Sequence, residues 1–182
     1  HLPFCETRCS FCACNVVITQ RDDVAEKYLD YLHREIELVA DRLGERRHLI
    51  QYHWGGGTPT HLSVDQIRSL QEVVGRHFAV DAQAEVAIEV HPPVTSREQI
   101  DALSELGFNR LSLGVQDLDP GVQDLINRYQ TVEKTRDLCT FGREAGFASI
   151  NFDLIYGLPQ QTPESFRRTI EPVIELRPER IA

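Results

Sequence analysis

Residues 49–60 read LIQYHWGGGTPT, an alternation of apolar and polar side chains that runs into three glycines. Ile50, Tyr52 and Trp54 share one face of this stretch, and Gln51, His53 and Gly55 share the other. Successive side chains of an extended chain point to opposite sides, so the stretch predicts a strand with one face for a core. The same alternation returns three times. In VAIEVH, Val86, Ile88 and Val90 oppose Glu89 and His91. In LSLGVQ, Leu111, Leu113 and Val115 oppose Ser112, Gly114 and Gln116. In INFDL, Ile150, Phe152 and Leu154 oppose Asn151 and Asp153.

Helical periods separate these strands. Val24, Tyr28, Leu32, Ile36, Val39 and Leu43 recur at three- and four-residue spacing, as do Val64, Ile67, Leu70, Val74 and Phe78. Ser63 with Gln66 and Ser96 with Gln99 have the spacing of capping boxes. Further helices are predicted from about Val132 to Ala145 and from Pro163, with Pro172 expected to kink or shorten the last one. Glu105-Leu106-Gly107-Phe108 and Glu144-Ala145-Gly146-Phe147 form a weak repeat, each at a helix end before a strand. Strand–helix alternation implies a parallel sheet. The expected fold class is α/β, a partial (β/α) TIM-like barrel. About five units are present, whereas eight need roughly 250 residues. No linker divides residues 1–182, so one domain is expected. The chain opens at His1, holds no Met and closes on ERIA, so truncation at both ends is expected. The polar residues fall late in their strands, where parallel barrels build their sites. His53, Glu89, Gln116 and Asp153 are therefore expected to line one cavity.

Composition narrows the class. Of 182 residues, 41% are hydrophobic and 26% charged, an ordinary soluble pattern without an apolar run of membrane length. A formal net charge of -9 argues against non-specific binding to nucleic acid or acidic membranes.

Four of the five cysteines fall in CETRCSFCAC, residues 5–14. An α/β domain of this size needs no disulfide staples, and clustered cysteines point to metal or redox chemistry. Cys5, Cys9 and Cys12 give CxxxCxxC, three thiolates from one loop, which suits an iron–sulfur cubane with one iron left open. Zinc stays open as a second reading, with His1 or Cys14 as fourth ligand. A disulfide pair is the third. Cys139 sits mid-helix and reads as core.

CxxxCxxC with an aromatic before the third cysteine resembles the radical S-adenosylmethionine (SAM) superfamily. HLPFCETRCSFCACN, HWGGGTPTHL, IEVHP, GFNRLSLGVQD, INR and DLIYGLPQQTPESF further resemble the oxygen-independent coproporphyrinogen III oxidase family (coproporphyrinogen dehydrogenases), across nearly the whole chain and in order. The resemblance implies a barrel of the radical SAM type, with an upstream segment and a C-terminal domain outside residues 1–182. It implies a 4Fe-4S cluster on Cys5, Cys9 and Cys12, and SAM, two molecules by the family pattern. Phe11, Gly56, Gly57, Thr58, Glu89, Gln116, Arg128 and Asp153 would be the SAM contacts, with Glu89 facing the second molecule. Cys14 would be a catalytic cysteine outside the iron ligands.

The implied activity is oxidative decarboxylation of two propionates of coproporphyrinogen III to vinyls, in porphyrin and heme biosynthesis. The implied partners are a tetrapyrrole substrate and an electron donor such as flavodoxin or ferredoxin. A cytoplasmic monomer is expected, bound to neither nucleic acid nor membrane. Arg8 is a candidate for substrate carboxylates by position. Related heme chaperones share HxPFC and GGGTP but usually lack the cysteine at position 14, which favours the oxidase over the chaperone. A zinc-stabilised module without catalysis is the remaining alternative. The family often has Asp where this chain has His91.

Overall fold

The computed structural model describes residues 1–182. Two short parallel strands, β1 (Phe4–Cys5) and β2 (Val17–Ile18), bracket the cysteine loop. The helix α1 (Asp22–Leu43) follows, then β3 (His48–Trp54), α2 (Val64–His77), β4 (Ala79–Val90) and α3 (Arg97–Glu105). Then come β5 (Arg110–Gln116), α4 (Pro120–Ile126), α5 (Val132–Glu144), β6 (Ser149–Leu154), α6 (Pro163–Leu176) and β7 (Arg180–Ile181). Strands β3 to β7 form one sheet in sequence order, with every neighbouring pair parallel. This is the expected α/β alternation of a partial barrel. The start of the chain joins it through a parallel bridge between Leu2 and Gly56.

Local chemistry sets the element ends. The Ser63 hydroxyl accepts from the Gln66 N–H, and the Gln66 side chain accepts from the Ser63 N–H, so α2 starts on the expected capping box. Ser96 with Gln99 does the same for α3, and Thr162 with Ser165 for α6. The ELGF and EAGF repeat is a matched pair of helix stops. Gly107 and Gly146 have φ of 89° and 93°, and the following Phe108 and Phe147 donate back to Leu103 and Gly142. That is the Schellman cap, and it drops both phenylalanines into the core.

The core lies between the sheet and its helices. Val86, Ile88, Leu111, Leu113, Ile150 and Phe152 are all buried strand residues of one cluster. Cys139 belongs to it too, and burial pushes its thiol up to about 12.

Four expectations are corrected. Ile50 is 72% exposed, because the β3–β4 register shifts between Leu49 and Gln51 and the alternation inverts there. Leu49 faces the helices instead. Val39 and Leu43 are exposed, and Ala25, Leu29 and Ala40 carry the buried face of α1. At 1.5 Å per residue α1 is about 33 Å long, while β3 spans about 23 Å, so its last turns outrun the sheet. Pro172 does not shorten α6, which continues to Leu176. The stretch SINFDLIYG reads in the sequence as one strand through Gly157, but β6 ends at Leu154.

Candidate functional site

The carboxyl ends of the strands and the cysteine loop enclose a cavity of about 210 Å³. From the loop come Cys5, Cys9, Phe11, Cys12 and Cys14, and from the segment after β3 come Gly56, Gly57 and Thr58. The strand ends contribute Glu89, Gln116 and Asp153, and Arg128 closes the wall. Of the residues expected to line one cavity, all but His53 do so. His53 lines a neighbouring apolar groove and reaches the cavity only through Glu89, whose Oε1 lies 3.3 Å from its Nε2.

All five cysteines are free thiols, which removes the disulfide reading. No three His, Cys, Asp and Glu side chains are grouped closely enough to share one metal ion. The Cys5 thiol hydrogen-bonds with the Thr58 hydroxyl at 3.5 Å. Burial raises the Cys5 thiol above its ordinary value; Thr58 opposes that, and the neighbouring thiols add to it. Arg128 Nη1 points at the Cys9 sulfur from 3.6 Å, and its Nη2 donates to the Gly114 carbonyl at 2.6 Å. The Arg128 Nε is buried without a partner. Cys14 is exposed, and partial burial, with Cys12 and Glu89 beside it, also raises its thiol.

The glycine run permits three close approaches. A Cβ on Gly55 would stand 2.8 Å from the Glu89 carboxylate, and one on Gly57 would stand 2.6 Å from the Phe4 carbonyl. Gly56, at φ 125°, faces the His1 ring. Its N–H donates to Glu89 Oε2 at 3.1 Å. On the sheet, Ser112 Oγ donates to Asp153 Oδ2 at 3.0 Å and Asn151 Nδ2 donates to Asp153 Oδ1 at 2.8 Å. The polar strand faces thus hold the carboxylates in place before any ligand arrives.

Comparison with known proteins places this cavity. The Radical SAM superfamily model matches residues 1–173. The chain belongs to the radical SAM superfamily. It is 48% identical over 182 residues to the oxygen-independent coproporphyrinogen III oxidase of Escherichia coli, covering all of this chain and 40% of that protein. The oxidase of Synechocystis is 41% identical and covered to 39%. Among solved structures, the coproporphyrinogen III oxidase of Escherichia coli, described as a radical SAM enzyme, superposes with a TM-score of 0.95 and is covered to 42%. A radical SAM methyltransferase from Kitasatospora setae, at 22% identity and TM-score 0.66, shares the fold. The chain therefore spans about two fifths of the length of the relatives it matches most fully.

Membership of the radical SAM superfamily implies a 4Fe-4S cluster and SAM. The donors present fit them. Three thiols of one loop line the cavity, one for each of three irons. The unpartnered Arg128 Nε and the carboxylates of Glu89 and Asp153 supply polar partners of both signs to this radical SAM cavity.

His91 also lines the wall; burial, with Arg128 beside it, pushes its imidazole down to about 3. A neutral ring therefore stands in this part of the wall, beside Arg128. Arg8 sits at the mouth, its carbonyl held by Asn127 Nδ2 at 2.9 Å.

Two parts of this radical SAM site escape the sequence reading. Helix α4 starts on Asp119, whose Oδ1 accepts from the Gly121 and Val122 N–H groups, with Pro120 at its first position. The Asp-Pro pair was a readable start signal. Val122, Ile126 and Leu158 form a small buried cluster on which Phe11 packs. No local spacing announces that contact. No helix is long and apolar enough to cross a membrane.

Proposed function

We propose that residues 1–182 are the radical SAM core of an oxygen-independent coproporphyrinogen III oxidase. The observation that carries this reading is the convergence of Cys5, Cys9 and Cys12 with Glu89, Gln116, Arg128 and Asp153 on one cavity. The 41–48% identity to oxidases over the full chain supplies the substrate class.

In this reading Cys5, Cys9 and Cys12 hold the 4Fe-4S cluster. Phe11, Gly56, Gly57 and Thr58 shape the SAM site from the loop side. Arg128, free at Nε, binds a carboxylate of the cofactor, and Gln116 and Asp153 take its amino and hydroxyl groups. Glu89 faces a second SAM molecule. When bound, cluster and SAM supply a 5′-deoxyadenosyl radical, the hydrogen-abstracting chemistry that oxidation of an unactivated carbon needs. Each of two substrate propionates would lose one hydrogen atom from its β-carbon to that radical, then carbon dioxide, and one further electron to an external one-electron acceptor distinct from the donor that drives SAM cleavage, and so become a vinyl. The product is protoporphyrinogen IX, a step in heme and porphyrin biosynthesis. Cys14, exposed on the cysteine loop, is the catalytic cysteine of this reading, and Arg8, which lines the same cavity, offers a carboxylate partner. Flavodoxin or ferredoxin supplies the electron, and the protein works as a cytoplasmic monomer, where low potential protects thiols and cluster.

The test is anaerobic reconstitution of the full-length protein with iron and sulfide, then electron paramagnetic resonance with and without SAM. The expected result is a reduced 4Fe-4S signal that changes on adding SAM, followed by release of carbon dioxide from coproporphyrinogen III. Stoichiometric zinc without a cluster would overturn the radical reading. A responding cluster with heme binding and no decarboxylation would replace oxidase by chaperone.

A further inference from the structure

We infer that Asp117 is a positioning residue for the SAM cavity, acting through a buried clamp with Gln161 and Thr169. The inference rests on the reading of Gln116 and Phe11 as SAM contacts. Asp117 follows Gln116 directly and is 1% exposed. Gln116 is at φ 62°, the left-handed region that a residue with a side chain rarely occupies, and β5 shifts register against β6 between Gly114 and Gln116. Something must hold that turn, and a buried carboxylate does. Asp117 Oδ1 accepts from the Thr169 hydroxyl at 2.7 Å and from the Asp119 N–H at 2.7 Å. Its Oδ2 accepts from Gln161 Nε2 at 2.5 Å.

The clamp reaches both walls of the cavity. Gln161 Nε2 also donates to the Ile155 carbonyl at 2.9 Å, and its Oε1 accepts from the Gly157 N–H at 2.6 Å. The Ile155 N–H donates to the Gln116 carbonyl at 3.0 Å. The segment 155–161 is thus tied to the strained turn at two points, Ile155 to Gln116 and Gln161 to Asp117, and is braced internally by Gln161. Leu158 and Ile155 of that segment pack with Phe11 of the cysteine loop. Thr169 Oγ accepts in turn from the Leu118 N–H at 3.1 Å, which anchors the clamp on α6. One carboxylate therefore fixes Gln116 on the strand side and, through Gln161, the seat of Phe11 on the loop side. It also accounts for Gln161 of the DLIYGLPQQTP motif, which no ligand role absorbs.

The hydrogen-bond polarity gives the test. Asp117→Asn keeps the acceptor for Thr169 and Asp119 but sets an amide donor against Gln161 Nε2. Gln161→Glu, in a half-buried loop, sets carboxylate against carboxylate. The double variant pairs donor with acceptor again between positions 117 and 161, while the Ile155 carbonyl stays without the donor it had in Gln161. In the full-length protein carrying its cluster, each single variant should keep its iron content and weaken SAM binding about tenfold, and the double variant should bind SAM more tightly than Gln161→Glu alone. In the metal-free full-length chain, amide exchange at Ile155 and Gly157 should rise about tenfold in the single variants while Leu111 and Leu113 stay protected. Single variants that bind SAM like the parent, unchanged exchange at Ile155 and Gly157, or a double variant no better than Gln161→Glu, would each overturn the clamp. A parent cluster that ignores SAM would overturn the proposed function and the clamp with it. A responding parent with equally responding variants would overturn the clamp alone.

Discussion

The two walls of the cavity are built on opposite principles. The strand wall places Glu89, Gln116 and Asp153 on elements of the main sheet. Its polar atoms are already engaged: Asp153 with Ser112 and Asn151, and Glu89 with the Gly56 N–H. The cysteine wall hangs between two strands of two residues each, and its four thiols are half-buried or exposed. It touches the rest through a few bonds, such as the Ser10 N–H to the Ile126 carbonyl and Asn127 Nδ2 to the Arg8 carbonyl. One wall is built into the main sheet, and the other is a loop tied to it by single hydrogen bonds. In a metal site of this kind, binding free energy does part of the work of folding.

Removing one thiol is the sharpest way to break that contrast. Cys9→Ala should abolish the 4Fe-4S signal and reduce iron and sulfide to background. The metal-free fold should change by about 0.5 kcal/mol or less, because the thiol is only half-buried. Iron and sulfide analysis beside urea unfolding of the metal-free protein reads both. A large loss of stability would mean that the cysteine loop is part of the fold after all.

The converse change belongs to the strand wall. Phe152 is fully buried at the centre of β6, one residue from Asp153. Phe152→Ala should cost about 3–5 kcal/mol, seen as a lower urea midpoint. SAM binding should fail through loss of fold. A variant that folds normally and binds SAM normally would show that the strand wall is less rigid than its hydrogen bonds suggest.

Arg128 joins the walls, with one amine on Gly114 and the other towards Cys9. Arg128→Lys replaces a fork by a point charge that serves one of those partners at a time. About a tenfold loss of SAM affinity, with cluster content intact, is the expected outcome. Equal affinity would mean that only the charge matters there.

The difference between the walls also explains what could be read in advance. Strand periodicity exposed the inward polar set, and Glu89, Gln116 and Asp153 do share the cavity. It misplaced Ile50, because a register shift is a property of the pair β3–β4 and leaves no mark on β3 alone. It also brought His53 too far in, since an edge strand has open space beside it. The cysteine loop was legible by spacing and by family resemblance. The seat of Phe11 was not, because Val122, Ile126 and Leu158 come from two segments more than a hundred residues away. Asp117 and Thr169 are likewise distant polar residues that only the fold brings together.

Helix α4 gives the gentlest test, since it supports the cysteine loop at Ile126 and Asn127 while growing out of the end of β5. Its N-cap Asp119 accepts from Gly121 and Val122 and pairs with Arg168 Nη2 at 2.9 Å. The Arg168 hydrogen bond, helped by those N–H groups, holds the Asp119 carboxyl below its ordinary 3.8. A depressed carboxyl stabilises the fold above its unfolded value and loses that contribution as pH falls through the lower folded value. Asp119→Ala should therefore cost about 0.5–2 kcal/mol near neutrality. The gap to the parent protein should narrow only below 3.8, as Asp119 takes up its proton. Urea midpoints of parent and variant, measured from neutral pH downwards, check the sign. A gap that stays constant through that range would mean that Asp119 acts as a neutral cap, with no part for Arg168 or the helix field. A gap that narrows, together with a cluster signal whose SAM response is unchanged, would place α4 as a support whose loosening the bound cluster itself can offset.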